Sequence, residues 1–438
     1  MNKQKISVIG LGKLGSPMAA VFAKKGYEVI GLDINRSFVD RINSGQAPVN
    51  EPQLQEFINQ SNGRLQATTD YDRAITETDI TFVILPTPSQ QDGFFSNDFL
   101  LGAVKSIGEI LARKTNWHLV VITSTTMPGS TGGVIKQALE KSSGKSVGRD
   151  IGLCYSPEFI ALGCVIRNML NPDFILIGES DSHAGDVLES VYVTCCDNSP
   201  AIKRMNITNA ELTKISVNTY VTTKISYANM VSEYCDQLPD ADVDVVMDAV
   251  GSDSRIGKKY LKAALGYGGP CFPRDNKAFA ALGRELGANS DLAMATDKIN
   301  NHQVERLFNK IQSACNPGEK IAVLGLSYKP DTDVIEESQG VLLVKRLVDA
   351  GYNVIAFDPE AMPNSQNVLP TSCIRANNLE EATAQVSVVV ITTAWPEFAG
   401  KSAFHGKTEV HTIIDPWSLV EPSSLPDSIR LIRMGKST

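Results

Sequence analysis

The sequence lacks the features that would assign the protein to a membrane or to an oxidising compartment. No uninterrupted apolar run approaches the roughly 18 residues that a membrane-spanning helix needs. The opening stretch, MNKQKISVIG, enters a predicted strand at once and contains no apolar core of a signal peptide. The eight cysteines are scattered and form no C-x-x-C pair. We therefore expect a cytoplasmic protein with reduced thiols, no membrane association and no metal site.

The sequence also has no excess of positive charge, no low-complexity segment and no short-period repeat. Its 41 Lys and Arg residues are outnumbered by 49 Asp and Glu residues, which gives a formal net charge of −8. This balance argues against nucleic acid or an anionic membrane as the main partner, although helix N-termini could still hold anionic small ligands. A chain of 438 residues with 42% apolar content predicts a globular protein of two or three domains.

A glycine-rich turn follows the first predicted strand, KISVIG, and precedes an apolar helix. The next strand, YEVIGLD, ends at Asp33. The turn has G-x-G-x-x-G spacing, in which glycines permit a tight turn and a close approach of the backbone to a pyrophosphate. Because Asp33 would accept hydrogen bonds from a ribose 2′-hydroxyl and repel a 2′-phosphate, we predict NAD rather than NADP as the cofactor. The turn consists of Gly10, Leu11, Gly12, Lys13, Leu14 and Gly15.

Three further predicted strands end in polar residues that could face the same ligand. DITFVILPTP places Thr87 after a strand, HLVVITSTTMPGST places Ser124 and Thr125 there, and IGLCYSPEFI places Glu158 there. In an open parallel sheet, ligands bind at the carboxyl ends of the strands. Ordinary turn chemistry is the alternative for the hydroxyl residues, and a solvated loop glutamate is the alternative for Glu158.

Residues 206–238 predict one long helix, because neither Gly nor Pro interrupts the pattern before Pro239. Lys214 and Asn218 are four positions apart and share one helix face, where they could form an oxyanion site. An exposed lysine with an ordinary asparagine is the alternative. Residues 320–358 then repeat the βαβ pattern without the glycine fingerprint, which predicts a second open α/β sheet.

The segment GSDSRIGKKYLKAALGYGGPCFPRDN (251–276) contains a single cysteine, Cys271. Because Gly-Gly-Pro cannot propagate a helix, we predict that Cys271 lies on a sharply turned loop with its sulfur facing outward. Arg274 would favour the thiolate, and Asp275 could orient a water molecule. This arrangement suits covalent catalysis by a cysteine, and a buried structural cysteine is the alternative.

Taken in order, these motifs resemble the nucleotide-sugar dehydrogenase family over nearly the whole chain. The resemblance rests on GLGKLG with Asp33, LPTP, STTMPGST, YSPEF, ELTKISVNTYV, RIGKKYLKAALGYGGPCFPRD and LGLSYKPDTD. It implies two Rossmann-like α/β domains joined by a long central helix that forms a homodimer. The implied parts are an NAD-binding domain (1–205), a central helical dimerisation domain with the cysteine loop (206–300) and a nucleotide-sugar-binding domain (301–438).

The resemblance implies an NAD-dependent oxidation of the C6 hydroxyl of a nucleotide sugar to a carboxylate, through a thiohemiacetal and a thioester. The matching catalytic residues are Cys271 as nucleophile, Lys214 and Asn218 at the oxyanion, Asp275 and Thr125 at the water or alcohol, and Glu158 in hydrolysis. Thr87, Ser124 and Thr125 match cofactor contacts. The implied substrate contacts are Glu158, Lys214, Asn218, Arg255 (toward the sugar of the neighbouring subunit), Tyr260, Leu261, Lys262, Gly268 and Lys329.

Three stretches depart from the family pattern and leave the sugar open. Glu336 stands where family members often have arginine, Asp415-Pro416-Trp417 replaces a common D-G-R, and SPEFIALGCVIRNML differs from the sequence typical of UDP-glucose enzymes. UDP-glucose is the first expectation, followed by a UDP-N-acetylhexosamine (ManNAc or GlcNAc) and GDP-mannose. A two-electron hydroxy-acid dehydrogenase and a non-catalytic nucleotide-sugar binder are the alternatives outside this reaction class.

Overall fold

The computed structural model describes residues 4–160, 162–399, 404 and 409–437. The chain divides into two compact units, a first unit of residues 1–216 and a second unit of residues 217–438. Each unit contains one extended β-sheet with helices packed against it.

The sheet of the first unit has eight strands in the described residues: β1 (Ile6–Ile9), β2 (Val29–Leu32), β3 (Leu65–Thr68), β4 (Ile80–Val83), β5 (His118–Ile122), β6 (Ile151–Tyr155), β7 (Phe174–Glu179) and β8 (Ala201–Asn206). Their order is β3-β2-β1-β4-β5-β6-β7-β8. Strands β1 to β6 pair in parallel, whereas β7 is antiparallel to β6 and parallel to β8. The strand order reverses between β1 and β4, which is where open α/β sheets bind ligands.

Helices cover both faces of this sheet, so the central strands β1, β4 and β5 are buried along their whole length. One apolar cluster joins Val8 of β1 to Phe22 and Tyr192, and the other joins Ile9 of β1 to Ile107. The helices are α1 (Gly15–Lys24), α2 (Arg36–Asn43), α3 (Leu54–Gln60), α4 (Tyr71–Thr76), α5 (Asp98–Leu111), α6 (Lys136–Ser143), α7 (Val165–Leu170) and α8 (Ser182–Cys195).

The predicted long helix is confirmed as α9 (Ile207–Cys235), which is 29 residues long. It begins in the first unit and ends in the second. Three further helices follow in the second unit: α10 (Val243–Ser252), α11 (Phe272–Glu285) and α12 (Asp291–Gln312). The segment between α10 and α11 carries the residues that lead to Cys271.

The sheet of the second unit is parallel throughout its described strands. These are β9 (Lys320–Leu324), β10 (Asn353–Phe357), β11 (Ile374–Arg375), β12 (Val388–Ile391), β13 (Thr412–Asp415) and β14 (Arg430–Arg433), in the order β11-β10-β9-β12-β13-β14. This is the order of the first six strands of the first unit. The accompanying helices are α13 (Gln339–Asp349), α14 (Met362–Ser365) and α15 (Leu379–Ala382).

The two sheets confirm the predicted fold class of two Rossmann-like α/β domains. Strand β8 continues the first sheet beyond β7, which is the strand in LNPDFILIGES. Strand β8 has no fully buried residue and contains Lys203 and Arg204, so no apolar run marks it in the sequence. The division into three domains at residues 205 and 300 stays a prediction. Across the described ranges, no helix is long and apolar enough to cross a membrane.

Candidate active site

The glycine-rich turn between β1 and α1 has the shape that a pyrophosphate requires. Gly10 has a φ of +93°, and a Cβ atom at this position would overlap the main-chain oxygen of Ile84. Gly15, the first residue of α1, packs directly on the carbonyl of Gly10. A Cβ at Gly12, in contrast, would have no heavy atom within 4 Å. The turn therefore leaves open space beside Gly12 at a helix N-terminus, and a pyrophosphate fits there.

The other turn residues have separate roles in this arrangement. The side chain of Leu11 is fully buried and that of Leu14 is half-buried against the core, whereas Lys13 is exposed. The Leu11 N–H donates to Asp33 Oδ2 at 2.7 Å, and the Asn35 N–H donates to Asp33 Oδ1 at 2.7 Å. A carboxylate has further lone pairs, so Asp33 can hold the turn and still accept a ribose hydroxyl.

The loops after β4 and β5 are tied to each other by their hydroxyl residues. Ser124 Oγ accepts the Leu85 N–H at 2.8 Å and donates to the Leu85 carbonyl at 2.7 Å. Thr87 Oγ1 donates to the carbonyl oxygen of Thr125 at 2.7 Å. The structure thus brings together the three predicted hydroxyl residues at the carboxyl ends of parallel strands, beside the glycine turn.

Lys214 and Glu158 lie together in the first unit. The Lys214 ammonium is buried, donates to the main-chain oxygen of Glu158 at 2.6 Å and lies 4.5 Å from the ring centroid of Phe159. Burial raises the pKa of Glu158 to about 7, and the charge of Lys214 opposes this rise. A carboxyl group that titrates near neutral pH suits general acid–base chemistry.

Cys271 caps the N-terminus of α11 with an exposed side chain. The preceding Gly269 has a φ of +84°, and its N–H donates to the main-chain oxygen of Glu336 at 2.8 Å. The sharply turned loop and the outward-facing sulfur are found as predicted. The sequence did not show that the turn leads straight into a helix, whose N-terminal partial positive charge favours a thiolate.

The exposure of Cys271 distinguishes it from every other cysteine of the chain. All eight cysteines lie within the described ranges and form no disulfide, and the other seven are buried or half-buried. Burial raises the pKa of Cys315 and of Cys373 to about 11, which keeps these thiols unreactive at neutral pH. Among the residues that the structure describes, no group of three or more His, Cys, Asp or Glu side chains could hold a metal ion.

Asp275 and Asn218 form a buried pair one helical turn after Cys271. Asn218 Nδ2 donates to Asp275 Oδ2 at 2.6 Å, and Arg274 Nε lies 3.3 Å from Asp275 Oδ1. The Asp275 N–H donates to the Cys271 carbonyl oxygen at 2.8 Å. One amide N–H of Asn218 is therefore committed to Asp275, and its amide nitrogen carries a second N–H.

The predicted substrate contacts at 260–262 differ in exposure. Tyr260 is exposed, adopts a φ of +64° and meets the ring of Phe272 edge-on at 6.4 Å between centroids. Leu261 is buried in a small apolar cluster with Met247, whereas Lys262 is exposed. Only the side chains of Tyr260 and Lys262 can therefore reach a ligand, and Leu261 can contribute only its main chain.

Tyr328, which sequence reasoning did not single out, is a neighbour of the cysteine loop. Burial raises its pKa, and the nearby charges of Cys271 and Glu336 add to the rise. Gly268, in turn, approaches the segment around Glu336 so closely that a Cβ would lie 2.5 Å from the Glu337 carbonyl oxygen. Glu336, which stands where members of the resembled family often have arginine, therefore lies beside the cysteine loop.

Two other predicted substrate residues make local contacts. Arg255 is exposed and pairs with Asp253, with Nη2 2.6 Å from Oδ2, so it does not join the other predicted residues within the second unit. The Lys329 ammonium lies 5.9 Å from the ring centroid of Tyr328. Lys329 therefore lies near Tyr328, which is itself a neighbour of the cysteine loop.

Glu211, within the ELTK motif, is a further residue that sequence reasoning missed. It is fully buried on α9 and accepts hydrogen bonds from Thr126 Oγ1 at 2.9 Å, from the Gly129 N–H at 2.7 Å and from the Thr131 N–H at 2.7 Å. Its partners lie 80 to 85 residues earlier in the chain, so no local spacing announces the contact. Glu211 holds the loop that begins with Ser124 and Thr125.

In the second sheet, the residue that corresponds in position to Asp33 has a different environment. Asp358 follows β10 as Asp33 follows β2, but it is fully buried. Its Oδ2 accepts the N–H groups of Leu326 at 2.7 Å and Ser327 at 2.9 Å, and the indole N–H of Trp395 at 3.2 Å. Because Asp358 is fully buried, whereas Asp33 is half-buried, Asp358 is not accessible to a ribose, in agreement with the missing glycine fingerprint.

Three family models match the chain in order. They belong to the UDP-glucose/GDP-mannose dehydrogenase family and describe its NAD-binding domain, its central domain and its UDP-binding domain. The matched residues are 4–196, 208–302 and 322–422. The cysteine loop and the Asn218–Asp275 pair lie in the central domain.

Known proteins of this family are similar to the chain over most of its length. The UDP-glucose 6-dehydrogenase AglM of Haloferax volcanii is 38% identical over 399 residues, which are 90% of this chain and 92% of that protein. A GDP-mannose 6-dehydrogenase of Pseudomonas syringae pv. syringae is 33% identical over 358 residues, 81% of this chain and 80% of that protein. A UDP-glucose dehydrogenase from Pyrobaculum islandicum superimposes with a TM-score of 0.89 at 31% identity, covering 99% of this chain and 98% of that one. The chain therefore belongs to the UDP-glucose/GDP-mannose dehydrogenase family and is a nucleotide-sugar 6-dehydrogenase that uses NAD.

Proposed function

We propose that the protein oxidises the C6 hydroxyl of UDP-glucose to a carboxylate in two NAD-dependent steps, through a covalent adduct on Cys271. The choice of sugar is supported by two relatives: the protein with 38% identity and the structure with a TM-score of 0.89 are named as UDP-glucose enzymes. The match of residues 322–422 to a UDP-binding domain supports a uridine nucleotide.

One observation carries the covalent mechanism. Cys271 is exposed at the N-terminus of a 14-residue helix, whereas the other seven cysteines are buried or half-buried. A helix N-terminus stabilises a thiolate, and the thiolate is the nucleophilic form of cysteine.

The proposed reaction has four stages: an oxidation, an addition, a second oxidation and a hydrolysis. The first oxidation removes a hydride and a proton from the C6 alcohol and leaves an aldehyde. The Cys271 thiolate adds to the aldehyde carbon, and protonation of the oxygen gives a thiohemiacetal. Loss of a second hydride and of the hydroxyl proton gives a thioester, which water cleaves to the carboxylate and the thiolate. When bound, NAD accepts the hydride in each oxidation.

Side chains of the chain supply the proton transfers and charge stabilisation in this proposal. The Lys214 ammonium and the second amide N–H of Asn218 would stabilise the developing oxyanion. Asp275, with Thr125, would hold the alcohol or the water. Glu158, whose pKa is about 7, would take a proton from the water that cleaves the thioester.

We also propose that the protein is a homodimer through α9. Tyr220, Tyr227 and Tyr234 are seven residues apart, so they form one stripe along the helix, and they are 64%, 47% and 58% exposed. Aromatic side chains are enriched at protein interfaces, and a second copy of the chain would bury this stripe. Sedimentation of the wild type as a dimer and of Tyr227→Glu as a monomer would support the proposal, and a monomeric wild type would refute it.

The decisive experiment supplies a limiting amount of one nucleotide sugar with excess NAD and counts the NADH formed. UDP-glucose should yield two NADH per molecule, whereas GDP-mannose and UDP-N-acetylmannosamine should yield none at matched concentrations. Cys271→Ala should form no uronate while its NAD affinity is retained. One NADH per sugar, or uronate formation by Cys271→Ala, would overturn the covalent mechanism.

A further inference from the structure

The segment that leads to Cys271 is held by two buried asparagine side chains. Residues 264–267 lie outside the helices and strands; Ala264, Leu265 and Tyr267 are buried, and Gly266 is half-buried. Buried backbone N–H and C=O groups need hydrogen-bond partners, which regular secondary structure normally provides. Here part of that requirement is met by side-chain amides of α9 and α12.

Asn229 of α9 contacts the first half of the segment. Its Nδ2 donates to the Leu265 carbonyl oxygen at 3.0 Å, and its Oδ1 accepts the Ala264 N–H at 3.0 Å. The side chain of Asn229 is fully buried. An asparagine amide presents one acceptor and two donors, so it pairs with the backbone in the way that a neighbouring strand would.

Asn300 of α12 contacts the second half in the same way. Its Oδ1 accepts the Tyr267 N–H at 2.7 Å, and its Nδ2 donates to the Tyr267 carbonyl oxygen at 3.0 Å. The Tyr267 hydroxyl donates to Asp297 Oδ1 at 2.7 Å, which adds a third contact from α12. Between the two amides, a Cβ on Gly266 would lie 2.6 Å from Asn300 Oδ1, so this position has no room for a side chain.

The held segment ends four residues before the nucleophile. Tyr267 is followed by two glycines and a proline, and Cys271 then caps α11. On the far side of Cys271, the Asn218–Asp275 hydrogen bond holds the first turn of α11. The chain is therefore secured on both sides of the cysteine, and the sulfur lies between the two attachments.

We propose that Asn229 and Asn300 are positioning residues that hold the loop of Cys271 in the geometry needed for attack on the sugar aldehyde. The inference rests on the proposed role of Cys271. Both amides bond to backbone atoms of residues 264–267. They therefore act through this segment and need not touch the substrate. Displacing a nucleophile by about 1 Å can cost on the order of a hundredfold in rate.

The test uses the full chain and the nearly isosteric variants Asn229→Asp and Asn300→Asp. Each variant keeps the acceptor for a backbone N–H and loses the donor to a backbone carbonyl. Ser226→Ala is the matched control, because Ser226 Oγ donates to the Thr296 carbonyl at 3.1 Å and so joins the same two helices away from residues 264–267. Alanine variants at both asparagines remove the whole side-chain amide. If the alanine variants do not fold, the aspartate variants alone provide the comparison.

Three quantities are measured: kcat and KM with nucleotide sugar, the rate at which iodoacetamide alkylates Cys271, and the melting temperature. We expect kcat to fall roughly tenfold to a hundredfold in each aspartate variant with KM for the nucleotide sugar unchanged. Alkylation of Cys271 should slow about threefold or more, because the thiol leaves a helix terminus that favours the thiolate. The Ser226→Ala control should keep the wild-type kcat and the wild-type alkylation rate of Cys271.

A purely structural role predicts a different pattern. Variants that melt earlier but keep the wild-type kcat and the wild-type alkylation rate of Cys271 would overturn the inference. The alkylation rate does not depend on turnover. If the wild type oxidised no nucleotide sugar, the proposed function would fail, and the alkylation comparison would still show whether the two amides position the cysteine.

Discussion

The side-chain amide of Asn218 donates to Asp275 Oδ2 at 2.6 Å, and both side chains are almost completely shielded from water. A buried carboxylate is costly unless it is paired, and Asp275 has Arg274 Nε 3.3 Å from its other oxygen. The pair joins the middle of α9 to the first turn of α11. The carboxyl group of Asp275 is thus held one helical turn from Cys271 by contacts with Asn218 and Arg274.

Asp275→Asn should reduce kcat by about a hundredfold or more, because the neutral amide can neither take up a proton nor pair with Arg274. The free energy of unfolding should fall by only about 1–2 kcal/mol, since one oxygen can still accept from Asn218. NADH formation and urea unfolding measure the two effects. Asp72→Asn, which removes an exposed partner of Arg113, should leave kcat near the wild-type value. A fully active Asp275→Asn would show that the carboxylate has no part in the reaction.

Asp33→Ser should relax the preference for NAD over NADP. The carboxylate repels a 2′-phosphate, and it also accepts the Leu11 N–H at 2.7 Å, so the change should weaken NAD binding as well. We expect the ratio of kcat/KM for NAD to that for NADP to fall about tenfold, which corresponds to about 1.4 kcal/mol. Initial rates with each cofactor measure this ratio. If discrimination stays unchanged, Asp33 does not face the ribose.

Glu158 should make the free energy of unfolding depend on pH. Burial raises its pKa from 4.5 to about 7, so between these values the folded protein binds more protons at this group than the unfolded chain does. The contribution of Glu158 to stability is therefore complete at low pH and is lost as the pH rises through about 7. Unfolding of the wild type and of Glu158→Gln, compared at about pH 5 and about pH 8, measures this contribution.

The glutamine variant should lack this loss, so its stability relative to the wild type should improve as the pH increases. In the proposed mechanism the carboxylate form of Glu158 acts as the base, so the rate of thioester hydrolysis should rise through about pH 7 in the wild type only. Parallel pH profiles for wild type and Glu158→Gln would contradict both expectations.

Glu211→Ala should loosen the loop that begins with Ser124 and Thr125. The substitution leaves the Thr126 hydroxyl and the N–H groups of Gly129 and Thr131 without their carboxylate, which should cost about 2–4 kcal/mol of unfolding free energy. NAD affinity should weaken because the same loop begins with Ser124 and Thr125, and calorimetric titration measures this change.

Glu189→Ala provides the comparison for Glu211→Ala. Glu189 is one of three carboxylates around Arg204, and its side chain is 38% exposed. Its removal should therefore lower the free energy of unfolding by at most about 1 kcal/mol and leave the NAD affinity unchanged. Equal effects of the two substitutions would mean that the buried contacts of Glu211 contribute nothing specific.

The sequence alone determined the features that depend on local spacing. The glycines and Asp33 lie within one βαβ unit, where a strand, a tight turn and a helix leave few alternatives, so the cofactor site could be predicted. The absence of Gly and Pro over 206–238 predicted α9, and the apolar runs predicted the central strands of both sheets. Gly-Gly-Pro predicted the turn before Cys271, because its backbone restrictions are intrinsic to those residues.

Only the tertiary structure decided which polar side chains hold the loop of Ser124 and Thr125 and the segment that leads to Cys271. Glu211 meets a loop 80 to 85 residues away, and Asn229 and Asn300 meet a segment 33 to 36 residues away. Such contacts satisfy buried backbone groups, so they depend on where the chain passes in space and leave no periodic mark in the sequence. Local chemistry therefore predicted the nucleophile, whereas long-range packing decided how it is held.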